Sequence, residues 1–247
     1  VNISIPHKKS RIKRQSLHNR IAHWLTAFST LTLIFTGFGQ MPMYQRYGLT
    51  SVPGFAWAGE YAVTLAAHYI AGAVLIFAIV YHITYMVARR EFDILPRRGD
   101  FKESVEVIVA MVKRCKGPAC HKYLGEQRLA YAFIGGNLLL ATMTGIIKVV
   151  KNLPGVDLSA GAMLAAATLH NLAAVMLVLG IAGHLVAFAF KENRALLSSM
   201  FSGCVDLDYV KERHAHWYND LVAEPHVLRR SMCAVKKRFG GKEKRAS

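Results

Sequence analysis

Four long apolar runs dominate the pattern of the chain: Ile21–Gln45, Tyr61–Ala88, Leu129–Ile147 and Leu158–Phe190, none of which contains Lys, Arg, Asp or Glu. Each is long enough to cross the hydrocarbon core of a bilayer as one helix. The pattern predicts an all-α integral membrane four-helix bundle over residues 21–190, with a basic arm at 1–20 and a basic tail at 191–247. Ser16 and Asn19 are candidate caps for the first helix. Residues 41–60 form a Gly/Pro/aromatic loop in which Tyr44, Tyr47 and Trp57 can sit at the membrane interface. Within the charged middle loop, Arg89–Arg128, apolar residues at Phe101, Val105, Ile108, Val109 and Val112 predict a short amphipathic helix lying on the membrane surface. The tail is expected to be polar and partly helical, ending in the stretch KKRFGGKEKRAS.

Charge orients this bundle. The net charge is +16, which on its own would admit a nucleic-acid partner. Its placement argues against that: twenty-eight Lys and Arg fall in the arm, the middle loop and the tail, and three (Arg46, Lys148 and Lys151) in the other two loops. That asymmetry is the positive-inside pattern, with both termini and the middle loop cytoplasmic and their basic faces drawn to anionic lipids. The first apolar run is too long for a cleaved leader and lacks a small-residue cleavage site. Cys115, Cys120, Cys204 and Cys233 all fall on the expected cytoplasmic side, where thiols stay reduced, so they read as plain thiols. The spacing of Cys115 and Cys120 is not that of covalent haem attachment.

The apolar runs are interrupted by histidines. His68 and His82 lie in the second run, His170 and His184 in the fourth, and His23 near the start of the first. A fourteen-residue separation returns to nearly the same helix face about 21 Å further along the axis, so each pair marks two depths. Ionisable side chains inside a membrane are costly and point to function. His68 and His170 share the outer depth, and His23, His82 and His184 compete for two places at the inner one. A flat macrocycle held by two axial imidazoles needs this arrangement. Gly72, Ala174 and Gly180, each one turn from a histidine, leave room for a ring. Zinc is disfavoured because neither depth offers four nitrogen or sulfur ligands. Two bis-histidine b-type haems are therefore expected, tuned by ligand type and burial. A faint internal repeat accompanies them: Thr36-Gly37 in the first run matches Thr144-Gly145 in the third, as the histidine pair of the second matches that of the fourth.

The motifs NRIAHW, AAHYIAG, TLHNLAAV, GHLVAFAF and RHAHWY, in this order from about Arg11 to Leu221, resemble the cytochrome b (gamma) subunit of membrane-bound respiratory formate dehydrogenase. A looser resemblance extends to the di-haem cytochromes b of membrane-bound hydrogenases. The resemblance implies a bacterial inner-membrane protein in which His68 and His170 ligate an outer haem and His23 pairs with His184 on an inner one. His82 departs from the family pattern and is the alternative to His23. The resemblance further implies a menaquinone or ubiquinone site near the inner haem, with Gln127 as its polar contact and Gly125 displaced from the expected position. The implied partners are an iron–sulfur subunit and a molybdenum or tungsten catalytic subunit on the periplasmic side. No pterin-binding signature or cluster-type cysteine array is evident in this chain, so substrate oxidation would belong to those partners. A hydrogenase, a thiosulfate reductase or another molybdopterin partner stays open, as does a non-redox anchor or transporter whose histidines bind metal or move protons.

Overall fold

The computed structural model describes residues 10–233 apart from 114 and 116. The first nine residues of the expected arm and the KKRFGGKEKRAS end lie outside them. Helix α1 (Leu17–Gly39) begins at Ser16, whose hydroxyl accepts from the Asn19 amide at 3.1 Å, so Ser16 is the cap. A short α2 (Met43–Arg46) and two 3-10 turns follow, and α3 (Tyr61–Arg89) then runs back, ending at Arg90 with φ 52°. Next come α4 (Asp100–Lys113), α5 (Gly125–Val150) and α6 (Ala160–Val186), the last extended by a 3-10 turn at Ala187–Ala189. The remainder holds α7 (Lys191–Ser202), α8 (Leu207–Arg213), α9 (Ala215–Ala223) and α10 (Pro225–Ser231).

Helices α1, α3, α5 and α6 with its extension are all long and apolar enough to span a membrane. A helix satisfies its own backbone polar groups, which lipid cannot do. Large apolar side chains such as Phe28, Ile70, Phe77, Leu164 and Leu179 are exposed around the bundle, a surface suited to lipid. The spans form two hairpins, α1 along α3 and α5 along α6. Gly39 lets the first close tightly: an added Cβ would lie 2.8 Å from Thr64 Cγ2 and 2.9 Å from the Ala58 carbonyl. The hairpins meet at mid-depth in a layer of Leu75, Leu138 and Leu177 with Leu33 packed against it.

At the basic end, α4 turns Val107 and Ala110 inward and leaves Phe101, Val105, Ile108 and Val109 exposed, the amphipathic division expected of an interfacial helix. It is tied to α5 by an ion pair. Both Asp100 and Arg128 are about 3% exposed, and the guanidinium grips the carboxylate at 2.6–3.0 Å while also reaching Glu103 at 2.9 Å. Gly125 permits the approach, since an added Cβ would be 2.6 Å from the Asp100 carbonyl.

Arm and tail, separate in the sequence pattern, come together. Strand β1 (Arg11–Lys13) pairs antiparallel with β2 (Cys204–Asp206), and Ile12 also bridges to Met232. Ile12, Leu196, Val205, Val210, Trp217, Leu221 and Leu228 are buried together beneath this ribbon. The expectation of four plain thiols is corrected here: Cys204 and Cys233 form a disulfide. The Cys233 amide donates to the Arg11 carbonyl at 2.8 Å, which brings it beside β2. Cys115 is a free, exposed thiol. Cys120 is buried, and burial, with Glu103 and Glu126 nearby, pushes its thiol up to about 12.

The Asp100–Arg128 pair makes a prediction. Arg128 holds the Asp100 carboxyl below the usual carboxylate range, so its contribution is present above the unfolded-state value and lost as pH falls through the depressed folded one. Asp100→Asn removes the buried anion and leaves the guanidinium only the partly exposed Glu103, at a cost of about 3 kcal/mol. Protection of the α4 amides relative to their intrinsic exchange rates should be low at neutral pH in the variant and fall only at acid pH in the wild type; equal protection in both would contradict this.

Candidate functional site

Each hairpin contributes one histidine to each of two cross-hairpin pairs. His68 on α3 faces His170 on α6, with ring centres 6.4 Å apart. His23 on α1 faces His184 on α6 at the same 6.4 Å. Two metal–imidazole bonds of about 2.0–2.1 Å, with each nitrogen about 1 Å from its ring centre, put the centres of two axial imidazoles about 6 Å apart. Both pairs therefore have room for one iron, and neither is close enough for a direct hydrogen bond between the rings. Leu75 and Leu177 sit seven residues from the histidines on either side of them, so the leucine layer separates the two levels.

The outer rings are held from behind. The Thr36 hydroxyl donates to the Thr32 carbonyl at 2.7 Å and lies 2.9 Å from His68 Nδ1, placed to accept from it. The Thr144 hydroxyl donates to the Leu140 carbonyl at 2.7 Å and lies 3.1 Å from His170 Nδ1, which is also 3.0 Å from the Ala141 carbonyl. A carbonyl only accepts, so His170 Nδ1 carries the proton and Nε2 keeps its lone pair for a metal. Gly37 and Gly145 let these rings lie against the helices: an added Cβ would be 3.6 Å and 3.3 Å from the Cε1 of His68 and His170. At the inner level, His23 Nδ1 is buried and has no hydrogen-bond partner among the described residues. Its ring meets the edge of Trp24, whose indole N–H donates to the Met200 carbonyl at 3.2 Å.

His82 has a different partner, with its Nε2 2.9 Å from the Tyr131 hydroxyl on α5. The repeat explains the pairing. Fourteen residues separate His23 from Gly37 and Tyr131 from Gly145, so Tyr131 occupies in the second hairpin the place of His23 in the first, as His82 corresponds to His184. Two equivalent contacts thus cross between the hairpins at the inner level, one imidazole–imidazole and the other imidazole–phenol.

Most of the remaining candidates are engaged with neighbouring protein. Gly180 lies against Phe133 and Ile134 of α5, so its space is taken up by helix packing, whereas at Gly72 an added Cβ would meet only Leu33, at 4.0 Å. Gln127 Oε1 accepts from Arg14 at 2.9 Å and from the Leu124 amide at 3.5 Å. The Gly125 amide donates to Glu103 at 3.1 Å. The supporting roles of Thr36, Thr144 and Tyr131 were not read from the sequence, although the Thr-Gly repeat marked two of the three positions.

Four spanning helices with opposed imidazoles across two hairpins define a multi-pass membrane cytochrome b. The chain belongs to the prokaryotic cytochrome b561 family, whose model matches residues 14–203. It is similar to the formate dehydrogenase cytochrome b556 subunit of Haemophilus influenzae, at 27% identity over 223 residues, covering 86% of this chain and 84% of that one. Its role is electron transfer within a membrane, on b-type haem.

Outer-shell partners of a ligating histidine typically govern metal affinity by about 10–100-fold. Thr144→Val, which keeps the side-chain shape and removes the hydroxyl, should weaken haem retention by about that factor in competition with an apo-globin. Ser51→Ala, in the exposed loop between α1 and α3, should not. Equal retention in the two variants would contradict the role given to Thr144.

Proposed function

We propose that this chain is the di-haem membrane subunit of a respiratory formate dehydrogenase and reduces quinone near its basic, cytoplasmic face. The observation that carries this reading is the repetition of one 6.4 Å imidazole separation at two depths. His68 and His170 would hold the outer haem, and His23 and His184 the inner one. Haem supplies one-electron redox chemistry, its potential set by axial ligands, hydrogen bonding and burial. Thr36 and Thr144 orient the outer imidazoles and raise their basicity as ligands. The mid-depth leucines exclude water between the levels. The direct bond of His82 to Tyr131 supports His23 as the fourth ligand and leaves His82 as a residue beside the inner level.

The distribution of Lys and Arg supports a cytoplasmic basic end in a bacterial inner membrane, with an iron–sulfur subunit and a molybdenum or tungsten subunit docked at the opposite, periplasmic end. Menaquinone or ubiquinone would accept electrons near Gln127 and Gly125. Gln127 is held in place by Arg14, and that arginine is 5% exposed. Carrying electrons inward and taking up protons on the inner side would build a membrane potential worth about 2.3 kcal/mol per charge per 100 mV. The resemblance to a formate dehydrogenase cytochrome b subunit, read first from motifs, is what selects formate dehydrogenase among possible partners.

Haem content per polypeptide tests the ligand assignment. His68→Ala and His170→Ala should each remove the same one of two haems, His23→Ala the other, and His82→Ala neither. Loss of haem in His82→Ala with full content in His23→Ala would overturn the inner pair.

A further inference from the structure

Below the inner level, at the basic end, the structure gathers buried polar atoms that the ligand scheme does not use. Arg14 Nε, both carboxylate oxygens of Glu126, the Tyr209 hydroxyl, Arg213 Nε and Nη2, and His214 Nε2 are all buried without a hydrogen-bond partner among the described residues. They come from three separate segments: the arm before α1, the first turn of α5, and α8 with the residue that caps its end. His214 is fully buried and Arg14 nearly so. The His214 Nδ1–H donates to the His121 carbonyl at 2.6 Å, so the buried Nε2 is left as a bare acceptor. Burial keeps this imidazole neutral, with its pKa lowered to about 4. The His214 and Tyr209 rings lie edge to face at 5.6 Å. Arg14 leads from this group to Gln127 through its 2.9 Å bond. The Glu126 carboxylate is faced by Arg213 and Tyr209 of α8, Glu103 of α4, Arg128 of its own helix and Cys120.

Buried donors and acceptors that lack a direct partner are commonly satisfied by ordered water. The two arginines and the carboxylate bring both signs of charge to this cluster. Arg213 is half-buried, so part of its side chain is open to solvent. The RHAHWY motif, which the haem scheme left without a role, supplies both Arg213 and His214.

We propose that this buried polar cluster is the proton entry of the quinone-reducing site, with Glu126 as the group that takes protons from the cytoplasm and hands them toward Gln127. The inference rests on the quinone reading above. The balance is quinone plus two electrons plus two protons giving quinol. The electrons arrive from the iron–sulfur partner through the b-type haems. Each proton leaves the Glu126 carboxyl, passes to a quinone oxygen, and is replaced from the cytoplasmic side, so Glu126 ends each cycle unchanged. Tyr209, Arg213 and His214 position that carboxyl and the path to it.

The test uses the full-length, haem-loaded protein in detergent, reduced with dithionite and mixed with menadione. Glu126→Gln should slow haem oxidation by menadione about 10²-fold and abolish its pH dependence, with haem content and the reduced spectrum unchanged. Tyr209→Phe, which keeps the ring packing, should slow it by a smaller factor. An independent readout is the infrared carboxyl band across a pH titration, which should include a component absent from Glu126→Gln whether or not haem is bound. Wild-type rates and pH profiles in both variants, or the absence of that band component, would overturn the proposal. Failure of the wild type to pass electrons to menadione at any pH would instead defeat the quinone reading, and the infrared band would still decide whether Glu126 exchanges protons.

Discussion

Opposed imidazoles at matched depth are the constraint around which this molecule is built. A side chain from one helix can hold one face of a planar iron macrocycle, and the other face needs a second helix at the same height. Inside lipid only helices are available to supply it, because a bare loop would leave its backbone polar groups unsatisfied. The fourteen-residue spacing repeated on α3 and α6 meets the condition at the outer depth. At the inner depth the same spacing on α6 meets a histidine of α1. The hairpin closures, the threonine hydroxyls and the leucine layer all keep those rings facing one another.

The two hairpins are variations of one plan, and their differences are as informative as their likeness. At equivalent positions the first carries His23 where the second carries Tyr131, and this one change makes the inner level asymmetric. A phenol satisfies His82 directly, by a 2.9 Å hydrogen bond, while His23 and His184 keep the wider separation of 6.4 Å. The outer level lies where the two halves contribute alike, and there the supporting threonines are duplicated as well. Toward the basic end the plan is no longer symmetric. Arm, middle loop and tail build one buried polar and apolar cap beneath α5, with Asp100 and Arg128 anchoring its amphipathic helix.

Much of this was legible in the sequence because lipid imposes length and polarity on every span. The four helices, a cap at Ser16 or Asn19, the amphipathic helix α4 and the shared levels of the histidines follow from counting residues along helices. What stayed hidden depends on rotation about a helix axis or on contacts between distant segments. Counting alone admits His82 to the inner level, and only the rotation of α3 turns it toward Tyr131. Gly72 and Gly180 sit at the right height but face neighbouring helices, whereas Gly37 and Gly145 face the rings. The ribbon between Arg11–Lys13 and Cys204–Asp206 joins segments nearly two hundred residues apart. Its disulfide broke the expectation of reduced thiols because compartment rules describe averages, whereas this pairing depends on Cys233 returning to the Arg11 strand. The buried atoms of Arg14, Glu126, Tyr209 and His214 share no local pattern at all.

The central claim is that one chain carries haem at two depths between its hairpins. It is tested most directly by an equilibrium redox titration of the purified wild-type chain, followed by visible absorption and normalised to polypeptide. Two b-type components of equal amplitude, one haem each per chain, are the predicted result. A single component at one haem per chain, or no b-type spectrum, would contradict the account.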